Sequence, residues 1–147
     1  MVSISKAKVS DAPGIRKLEQ QIWREKETTG KYEDGYIIRF EYAFVAKEKN
    51  KIIGAILAMR TTNDEIYVED IIISPRFQHQ GIDRKLYSTL LAHCGDHTIL
   101  ALVNVTNESS IALHKELGFK GVKKIVNPFG VKEETVSFLM KKEKKAL

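Results

Sequence analysis

The sequence predicts a single mixed α/β domain with a mostly antiparallel central sheet flanked by helices. Short runs rich in β-branched residues alternate with stretches whose apolar residues recur at helical spacing. Polar or glycine-containing turns separate these segments, as expected between strands and helices. The 147 residues suffice for one hydrophobic core, and no linker or internal repeat divides them. We therefore assign residues 1–147 to one domain with the order β-α-α-β-β-β-α-β-α-β-β.

The amino-terminal segments predict one strand followed by two helices. Val2–Ala7 alternates with a period of two, which is typical of a half-buried strand. Ser10–Pro13 resembles a helix start with proline in the first turn. Apolar residues then recur at helical spacing over Ile15–Trp23, and Thr28–Gly30 ends this helix. A second, shorter helix is predicted over Asp34–Phe40.

The middle of the chain predicts a hairpin and a further strand. Two β-rich runs, Tyr42–Ala46 and Ile52–Met59, are joined by the polar segment Lys47–Lys51. Thr61–Asp64 is a second turn, and Ile66–Ile73 is a strand dense in β-branched residues. The remaining elements are a helix over Ile82–Leu91 that ends before Gly95, a strand over Thr98–Val103, a helix over Glu108–Leu117, and strands over Val122–Val126 and Thr135–Met140.

Composition limits the classes of function. The net charge of +5 comes largely from Lys141–Lys145, which contains four lysines and one glutamate. Such a segment is either an interaction arm or a solvated, frayed end. The rest of the chain is nearly balanced in charge and shows no basic and aromatic recognition motif, so nucleic acid is not an expected partner.

Membrane insertion and secretion are not expected either. The longest apolar stretch, Ile52–Met59, is far shorter than the roughly 20 residues of a membrane helix. Met1–Gly14 mixes charged and apolar residues and lacks the apolar region of a signal peptide. With Cys94 as its single cysteine, the chain forms no intrachain disulfide. We expect a cytoplasmic protein.

The junction between a strand and a helix at Ile73–Leu86 carries the clearest chemical signal. A glycine-containing turn that leads into a helix exposes unpaired backbone N–H groups at the positive end of the helix dipole. Such a turn binds anions, and phosphates above all. The segment has neither the Gly-Lys-Ser/Thr ending of a P-loop nor the G-x-G-x-x-G pattern of a dinucleotide fold.

This junction resembles the pyrophosphate-binding signature of the GNAT acetyltransferase superfamily, Q/R-x-x-G-x-G/A after an apolar-x-Pro triplet. Ile73–Pro75 and Gln78–Ile82 match it in residue type and spacing. Asp83 stands where the family has Gly or Ala. A carboxylate there favours the helix N-terminus by about 0.3–1 kcal/mol but repels a pyrophosphate, with Arg76, Arg84 and Lys85 nearby as possible compensation.

A second segment, Asn107–Phe119, resembles the family pattern N-x-x-A-x-x-L-Y-x-x-x-G-F. The resemblance implies acetyl-CoA as cosubstrate, no metal, and Asn107 near the pantetheine arm. It also places His114 at the tyrosine that protonates the leaving thiolate in many members. His79 would either bond a phosphate or be solvated. The cofactor-binding residues that the resemblance implies are Ile71, Ile72, Ile73, Gln78, His79, Gln80, Gly81, Ile82, Asp83, Arg84 and Asn107.

Glu69 and Asp70 are two carboxylates in an otherwise apolar strand. Alternation sends them to opposite faces, so we expect at most one to point at a shared site. One is a candidate general base, and Glu69 is preferred because it shares a face with Ile71 and Ile73. The alternative is that both lie near the start of the strand and are solvated or salt-bridged.

Two further groups of residues leave alternatives open. His93, Cys94, Asp96 and His97 match no zinc pattern, so a solvated helix end with Cys94 as a buried filler is favoured over a metal site or a nucleophile. In relatives, two regions wall the acceptor pocket, and their aromatic residues are either pocket or core. These candidate substrate-binding residues are Trp23, Tyr32, Tyr36 and Phe129.

The resemblance therefore implies an N-acetyltransferase that moves an acetyl group to a primary amine by direct attack in a ternary complex. The acceptor is a small-molecule amine or a protein amine, and the last loop and strand are similar to members that acetylate ribosomal protein N-termini. The alternative is a non-catalytic acyl-CoA-binding or regulatory module, suggested by Asp83 and His114. A homodimer is also compatible, since many relatives are dimers.

Overall fold

The computed structural model describes residues 1–23, 30–130 and 135–144, without the side chains of residues 30 and 31. These ranges contain a mostly antiparallel seven-stranded sheet with flanking helices, which confirms the predicted fold class and order of elements. The strands are β1 Ser3–Lys6, β2 Tyr42–Glu48, β3 Lys51–Arg60, β4 Ile66–Ile73, β5 Ile99–Asn104, β6 Lys120–Val126 and β7 Val136–Lys142. The helices are α1 Ala12–Trp23, α2 Gly30–Phe40, α3 Ile82–Cys94 and α4 Glu108–Glu116.

The chain forms two compact units, the first from residues 1–60 and 69–94 and the second from residues 61–68 and 95–147. In the first unit, β1 pairs antiparallel with β2, and β2 with β3. The β2–β3 connection is a tight turn in which Lys49 and Asn50 both have positive φ, 49° and 64°. This geometry matches the twist of a hairpin and lets both strands run further than predicted.

The core of the first unit lies between helices α1 and α2 and the β2–β3 hairpin. Gly14 of α1 approaches β3 so closely that an added Cβ would lie 2.9 Å from Ile52 Cδ1. Each large aliphatic side chain buried here stabilises the fold by about 1.5–3 kcal/mol. The cluster consists of Ala7, Ala12, Ile15, Leu18, Ile37, Ile38, Ala43, Val45, Ala55, Leu57 and Ile72.

In the second unit, the first half of β4 pairs parallel with β5, with Ile66 opposite Ile99. Strand β5 pairs antiparallel with β7, and β7 with β6, so β7 lies between β5 and β6. The buried side chains of this unit include Ile66, Val68, Ile99, Ala101, Val103, Leu113, Phe119 and Met140.

The carboxyl-terminal lysines differ from the prediction of a frayed end. Lys141 and Lys142 belong to β7, because they pair with β5 and are only half exposed. Lys141 Nζ also lies 3.3 Å from Glu143 Oε1. Lys145 lies outside the described residues, as does most of the predicted helix end at Thr28–Gly30. No helix among the described residues is long and apolar enough to cross a membrane.

Candidate active site

The connection from β4 to α3, in the first unit, forms an irregular turn. The Ser74 N–H donates to the Ile53 carbonyl at 2.7 Å, and Pro75–Phe77 makes one 3₁₀ turn. His79 and Gly81 have positive φ, 63° and 78°, and α3 then begins at Ile82. The backbone thus turns sharply immediately before the helix, so the first-turn N–H groups have no acceptor within α3.

The glutamine side chains hold the turn in shape. Gln78 Nε2 donates to the Ile73 carbonyl at 3.2 Å, and Gln80 Nε2 donates to the Arg76 carbonyl at 3.3 Å. An added Cβ on Gly81 would meet no atom within 4 Å, so the space beside this residue is open. These contacts give the predicted anion-binding segment a defined backbone conformation.

Asp83 brings a negative charge into the first turn of α3. Its Oδ1 accepts a hydrogen bond from the Arg84 N–H at 2.8 Å. Arg76, Arg84 and Lys85 are exposed around the same turn. One helix N–H group is therefore already bonded to a carboxylate of the chain.

The isoleucines of β4 alternate as a strand requires. The Ile72 side chain is 2% exposed and belongs to the core of the first unit, whereas Ile71 and Ile73 are half-buried. The side chain of Ile72 is therefore a packing group. The predicted binding of the cofactor at Ile72 concerns its backbone N–H and carbonyl groups.

Five carboxyl side chains of the first unit interact with one another. Glu69 and Asp70 come from the middle of β4, Glu19 from α1, and Glu33 and Asp34 from α2. We call this group the carboxyl cluster. Neither Glu69 nor Asp70 makes a salt bridge among the described residues, and both residues are half-buried.

Hydrogen bonds divide the carboxyl cluster into two groups. Glu69 shares a hydrogen bond with Glu33. Glu19 shares hydrogen bonds with Asp34 and with Asp70, and the Trp23 indole N–H donates to Asp70.

The direct partners of Glu69 and Asp70 therefore differ, as alternation predicts. That at most one of them points at a shared site stays a prediction. The charge of Asp34 reaches Glu69 as well as Asp70, because electrostatic fields act across the two faces of a strand.

Burial raises the pKa values of Glu19, Asp34, Glu69 and Asp70. It raises the pKa of Asp34 to about 8, with the hydrogen bond to Glu19 acting in the same direction. It raises the pKa of Asp70 to about 6, although hydrogen bonds from Glu19 and Trp23 oppose the shift. The pKa values of Glu19 and Glu69 also lie above their usual range through burial. Asp34 and Glu69 therefore carry protons at neutral pH.

Three buried oxygens of the carboxyl cluster have no hydrogen-bond donor among the described residues. They are Glu19 Oε1, Asp34 Oδ2 and Glu69 Oε2. Arg16 acts on Asp34 through its charge, but its effect is smaller than that of Glu19 or Glu33. The carboxyl cluster thus brings five acidic side chains together, and no ion pair to a Lys or Arg is formed within it among the described residues.

The sequence analysis missed Glu19, Glu33 and Asp34. Their signal was present, because Glu19 lies four residues after the buried Ile15 and Asp34 three residues before the buried Ile37. Both carboxylates therefore fall on the apolar faces of their helices, where an ionised side chain is costly.

His114 lies in the second unit, in α4, and is 2% exposed. Its Nδ1 lies 2.7 Å from the Ser110 carbonyl, so Nδ1 carries the hydrogen and donates it. Its ring packs edge-on against Phe119 at 5.1 Å. Burial lowers the pKa of His114 below 6.5, against the opposing effect of the Ser110 hydrogen bond. The imidazole is therefore neutral at pH 7.

Asn107 also lies in the second unit and caps α4. Its Oδ1 accepts hydrogen bonds from the Ser110 N–H at 3.1 Å and from Ser109 Oγ at 3.2 Å. These contacts give Asn107 a structural role at the start of the helix.

The aromatic candidates are divided between the two units. Trp23, Tyr32 and Tyr36 are exposed on α1 and α2 of the first unit, and the Trp23 indole contacts the carboxyl cluster. The Tyr36 ring lies 5.4 Å from that of Phe40. Phe129 is exposed in the β6–β7 connection of the second unit. None of the four is a core residue.

The end of α3 fits the predicted helix-end interpretation. Cys94 is buried and its Sγ donates to the Leu90 carbonyl, while His93 Nδ1 lies 2.9 Å from the Thr89 carbonyl. His97, in the second unit, contacts Asp96. No group of three or more His, Cys, Asp or Glu residues within the described ranges could hold a metal ion.

Comparisons with known proteins agree with this architecture. The "Acetyltransferase (GNAT) family" model matches residues 12–119. The chain is 27% identical over 126 residues to the [ribosomal protein bS18]-alanine N-acetyltransferase of Escherichia coli strain K12, covering 81% of each protein.

Solved structures share the fold. The yncA protein of Salmonella typhimurium, solved with its cofactor acetyl-CoA, has a TM-score of 0.80 at 18% identity, covering 100% of this chain and 96% of that one. The smu.2055 protein of Streptococcus mutans UA159 has a TM-score of 0.83 at 20% identity, covering 97% and 99%. With the family model matching most of its length, the chain belongs to the GNAT family of acetyltransferases.

Proposed function

We propose that this acetyltransferase moves the acetyl group of acetyl-CoA to the nitrogen of an amine, by direct attack within a ternary complex. One observation in the first unit carries the proposal. Strand β4 bears the carboxyl groups of Glu69 and Asp70 and then leads into the helix N-terminus at Ile82. Carboxylates attract a cation and a helix N-terminus attracts an anion. The protonated amine acceptor is such a cation, and the phosphate-bearing acyl donor is such an anion.

The residues of the turn fit the phosphates of acetyl-CoA. First-turn N–H groups, open space beside Gly81 and the exposed cations Arg76, Arg84 and Lys85 all favour an anion. The backbone from Gln78 to Arg84, with the side chain of His79, would hold the diphosphate. The β4 backbone at Ile71–Ile73 would bind the pantetheine arm. Acetyl-CoA supplies an activated thioester carbonyl when bound.

Glu69 is the proposed proton acceptor. An amine reaches the protein as an ammonium ion, and its positive charge favours ionised carboxylates. The arriving charge therefore lowers the pKa of Glu69, which releases its own proton to solvent. The ionised carboxylate then takes the proton that the ammonium loses to become the attacking amine, and the second proton leaves the nitrogen for solvent after the attack. Asp70, with a pKa of about 6, is mostly ionised at neutral pH and serves as the first counter-ion.

The roles of Asn107, His114 and Phe129 stay predictions of the family resemblance. His114 would protonate the leaving thiolate. Its neutral ring donates from Nδ1 to Ser110, so Nε2 carries a transferable proton only below the lowered pKa of this histidine. The acceptor is an amine, and the Escherichia coli relative, which acts on an alanine of a ribosomal protein, supports including protein α-amines.

Calorimetric titration of acetyl-CoA and of CoA tests the donor site. We expect one-to-one binding that Asp83→Gly tightens by about two- to fivefold, because the substitution removes a charge worth about 0.3–1 kcal/mol from the first turn. Asp96→Gly removes the same charge outside the turn and should leave the affinity unchanged. Release of free thiol with a panel of amines then tests transfer.

A non-catalytic acyl-CoA-binding module is the second candidate. The bond from Asp83 to the Arg84 N–H favours it, because this carboxylate occupies a donor that a phosphate would use. Binding of acetyl-CoA without thiol release for any amine would support this alternative. Absence of binding at millimolar concentration would contradict both functions.

A further inference from the structure

We propose that the acceptor carries a second cationic nitrogen besides the one that is acetylated, and that this second cation binds at Asp34. The substrate class that follows is a linear alkyl diamine or polyamine. This inference rests on the proposed function and deepens it by naming the acceptor.

Asp34 is an unusual aspartate in this fold. It lies on α2, is 2% exposed, and its Oδ2 has no hydrogen-bond donor among the described residues. It contacts Glu19 and also raises the pKa values of Glu69 and Asp70 through its charge, so its carboxyl group faces the carboxyl cluster. A buried carboxyl oxygen that accepts no hydrogen bond is costly unless a ligand supplies the missing donor.

The charge around Asp34 calls for a cation of the ligand. Arg16 acts on Asp34 through its charge and its buried Nε also lacks an acceptor, but no ion pair joins it to the carboxyl cluster in the described part of the chain. Five carboxyl groups interact in this part of the first unit. Without a ligand they share protons, and an ammonium group with its three N–H donors can replace those protons.

The two hydrogen-bonded groups of the cluster indicate two positive charges in one ligand. Glu69 with Glu33 forms one group, next to the proposed reaction site. Asp34 with Glu19 and Asp70 forms the other. A monoamine neutralises one group and leaves the other protonated. A diamine places one ammonium in each.

The burial of Asp34 favours a thin ligand. An alkyl ammonium chain has the width of a methylene, whereas a protein α-amine is followed immediately by a branched backbone. Trp23, 56% exposed, donates to Asp70 at the edge of the same group, and its indole face suits an alkyl chain or a cation. We therefore favour a small linear amine over a polypeptide.

Thiol-release kinetics with alkane diamines and with n-alkylamines of equal length test the inference. We expect kcat/KM for the best diamine to exceed that for its matched monoamine by about tenfold or more, which corresponds to about 1.4 kcal/mol. In Asp34→Asn, kcat/KM for the diamine and for the monoamine should differ by less than about threefold, mainly because KM for the diamine rises. Glu19→Gln should act in the same direction.

Asp11→Asn is the matched control, because Asp11 is a buried aspartate of the same unit that lies outside the carboxyl cluster. It should leave the ratio of diamine to monoamine unchanged. Thermal unfolding of each variant checks that the fold is kept. Equal kcat/KM for diamine and monoamine in the unmodified protein would overturn the inference while leaving acetyl transfer in place.

If no amine is acetylated, calorimetry with the diamine in the presence of CoA still decides the question. Diamine binding that Asp34→Asn removes would support the cation site even though the proposed function had failed. Absence of binding, binding that Asp34→Asn leaves unchanged, or a preference for a peptide with a free α-amine over every diamine would overturn the inference.

Discussion

Asp11 and Asp34 are both buried aspartates of the first unit, but their surroundings are opposite. Asp11 accepts a hydrogen bond from the Lys8 N–H at 2.8 Å, and its Oδ1 lies 2.8 Å from Lys47 Nζ. Burial raises the pKa of Asp11, but Lys47 and Lys8 outweigh it, so the pKa lies below 3.8. Asp34 is surrounded by carboxyl groups, and its pKa is about 8.

The difference separates a structural charge from a charge available to a ligand. At Asp11 the chain supplies its own cation, so the ionised carboxylate stabilises the fold. At Asp34 no comparable cation of the chain pairs with the ionised carboxylate. The fold is therefore more stable while the Asp34 carboxyl group keeps its proton. The first arrangement supports folding, whereas the second leaves electrostatic energy for binding.

The largest expected effect is on kcat and not on stability. Glu69→Gln should lower kcat by about 10²–10³, the size of a general-base contribution. Steady-state thiol release with the best amine measures it. Glu65→Gln, just before β4, is the control and should keep kcat within about twofold. A Glu69→Gln variant with unchanged kcat would exclude this carboxylate as the base.

Removing the cation from Asp11 should cost the most stability. Lys47→Met leaves a buried carboxylate without its partner, and we expect the free energy of unfolding to fall by about 2–3 kcal/mol. Urea denaturation at neutral pH measures it. Lys49→Met, in the exposed β2–β3 turn, should change the free energy by less than about 0.5 kcal/mol. Equal effects of the two substitutions would show that the Asp11–Lys47 pair contributes nothing.

Asp34→Asn should stabilise the fold at high pH, whereas Lys47→Met should destabilise it. Because folding raises the pKa of Asp34 from 3.8 to about 8, its stabilising contribution is complete below 3.8 and is lost as pH rises through about 8. The Tm of the unmodified protein should therefore fall between about pH 5 and pH 9, and Asp34→Asn should flatten this decline and raise Tm by a few degrees at about pH 9. A steeper decline in the variant would contradict the raised pKa.

The smallest effect is expected at His114. Because burial lowers its pKa, the imidazole is neutral at pH 7, and His114→Phe should change kcat by less than about twofold there. The ratio of unmodified to variant kcat should rise as the pH falls through the lowered pKa of His114, where the imidazole becomes protonated. A large ratio that persists at about pH 8 would show that this residue acts through another route, such as packing against Phe119.

The order of elements could be predicted because each strand or helix shows its own spacing of apolar residues along the sequence. The turn before α3 was predictable as well, since Gly81 and the neighbouring glutamines form a local pattern. The carboxyl cluster was not recognised, because Glu19, Asp34 and Glu69 are far apart in sequence and meet only through tertiary packing. Strand ends were misjudged where polar residues such as Lys141 and Lys142 continue a ladder that backbone hydrogen bonds define.

The position of β7 between β5 and β6 has a consequence for biosynthesis. Until β7 has emerged from the ribosome, β5 can pair only with β4 and lacks its antiparallel neighbour. Strand β6 has no pairing partner in the second unit until β7 follows it. The second unit therefore folds late in translation, and the edges of β5 and β6 stay unpaired until β7 has been made. Nascent chains stalled before Val136 should be the ones that chaperones retain.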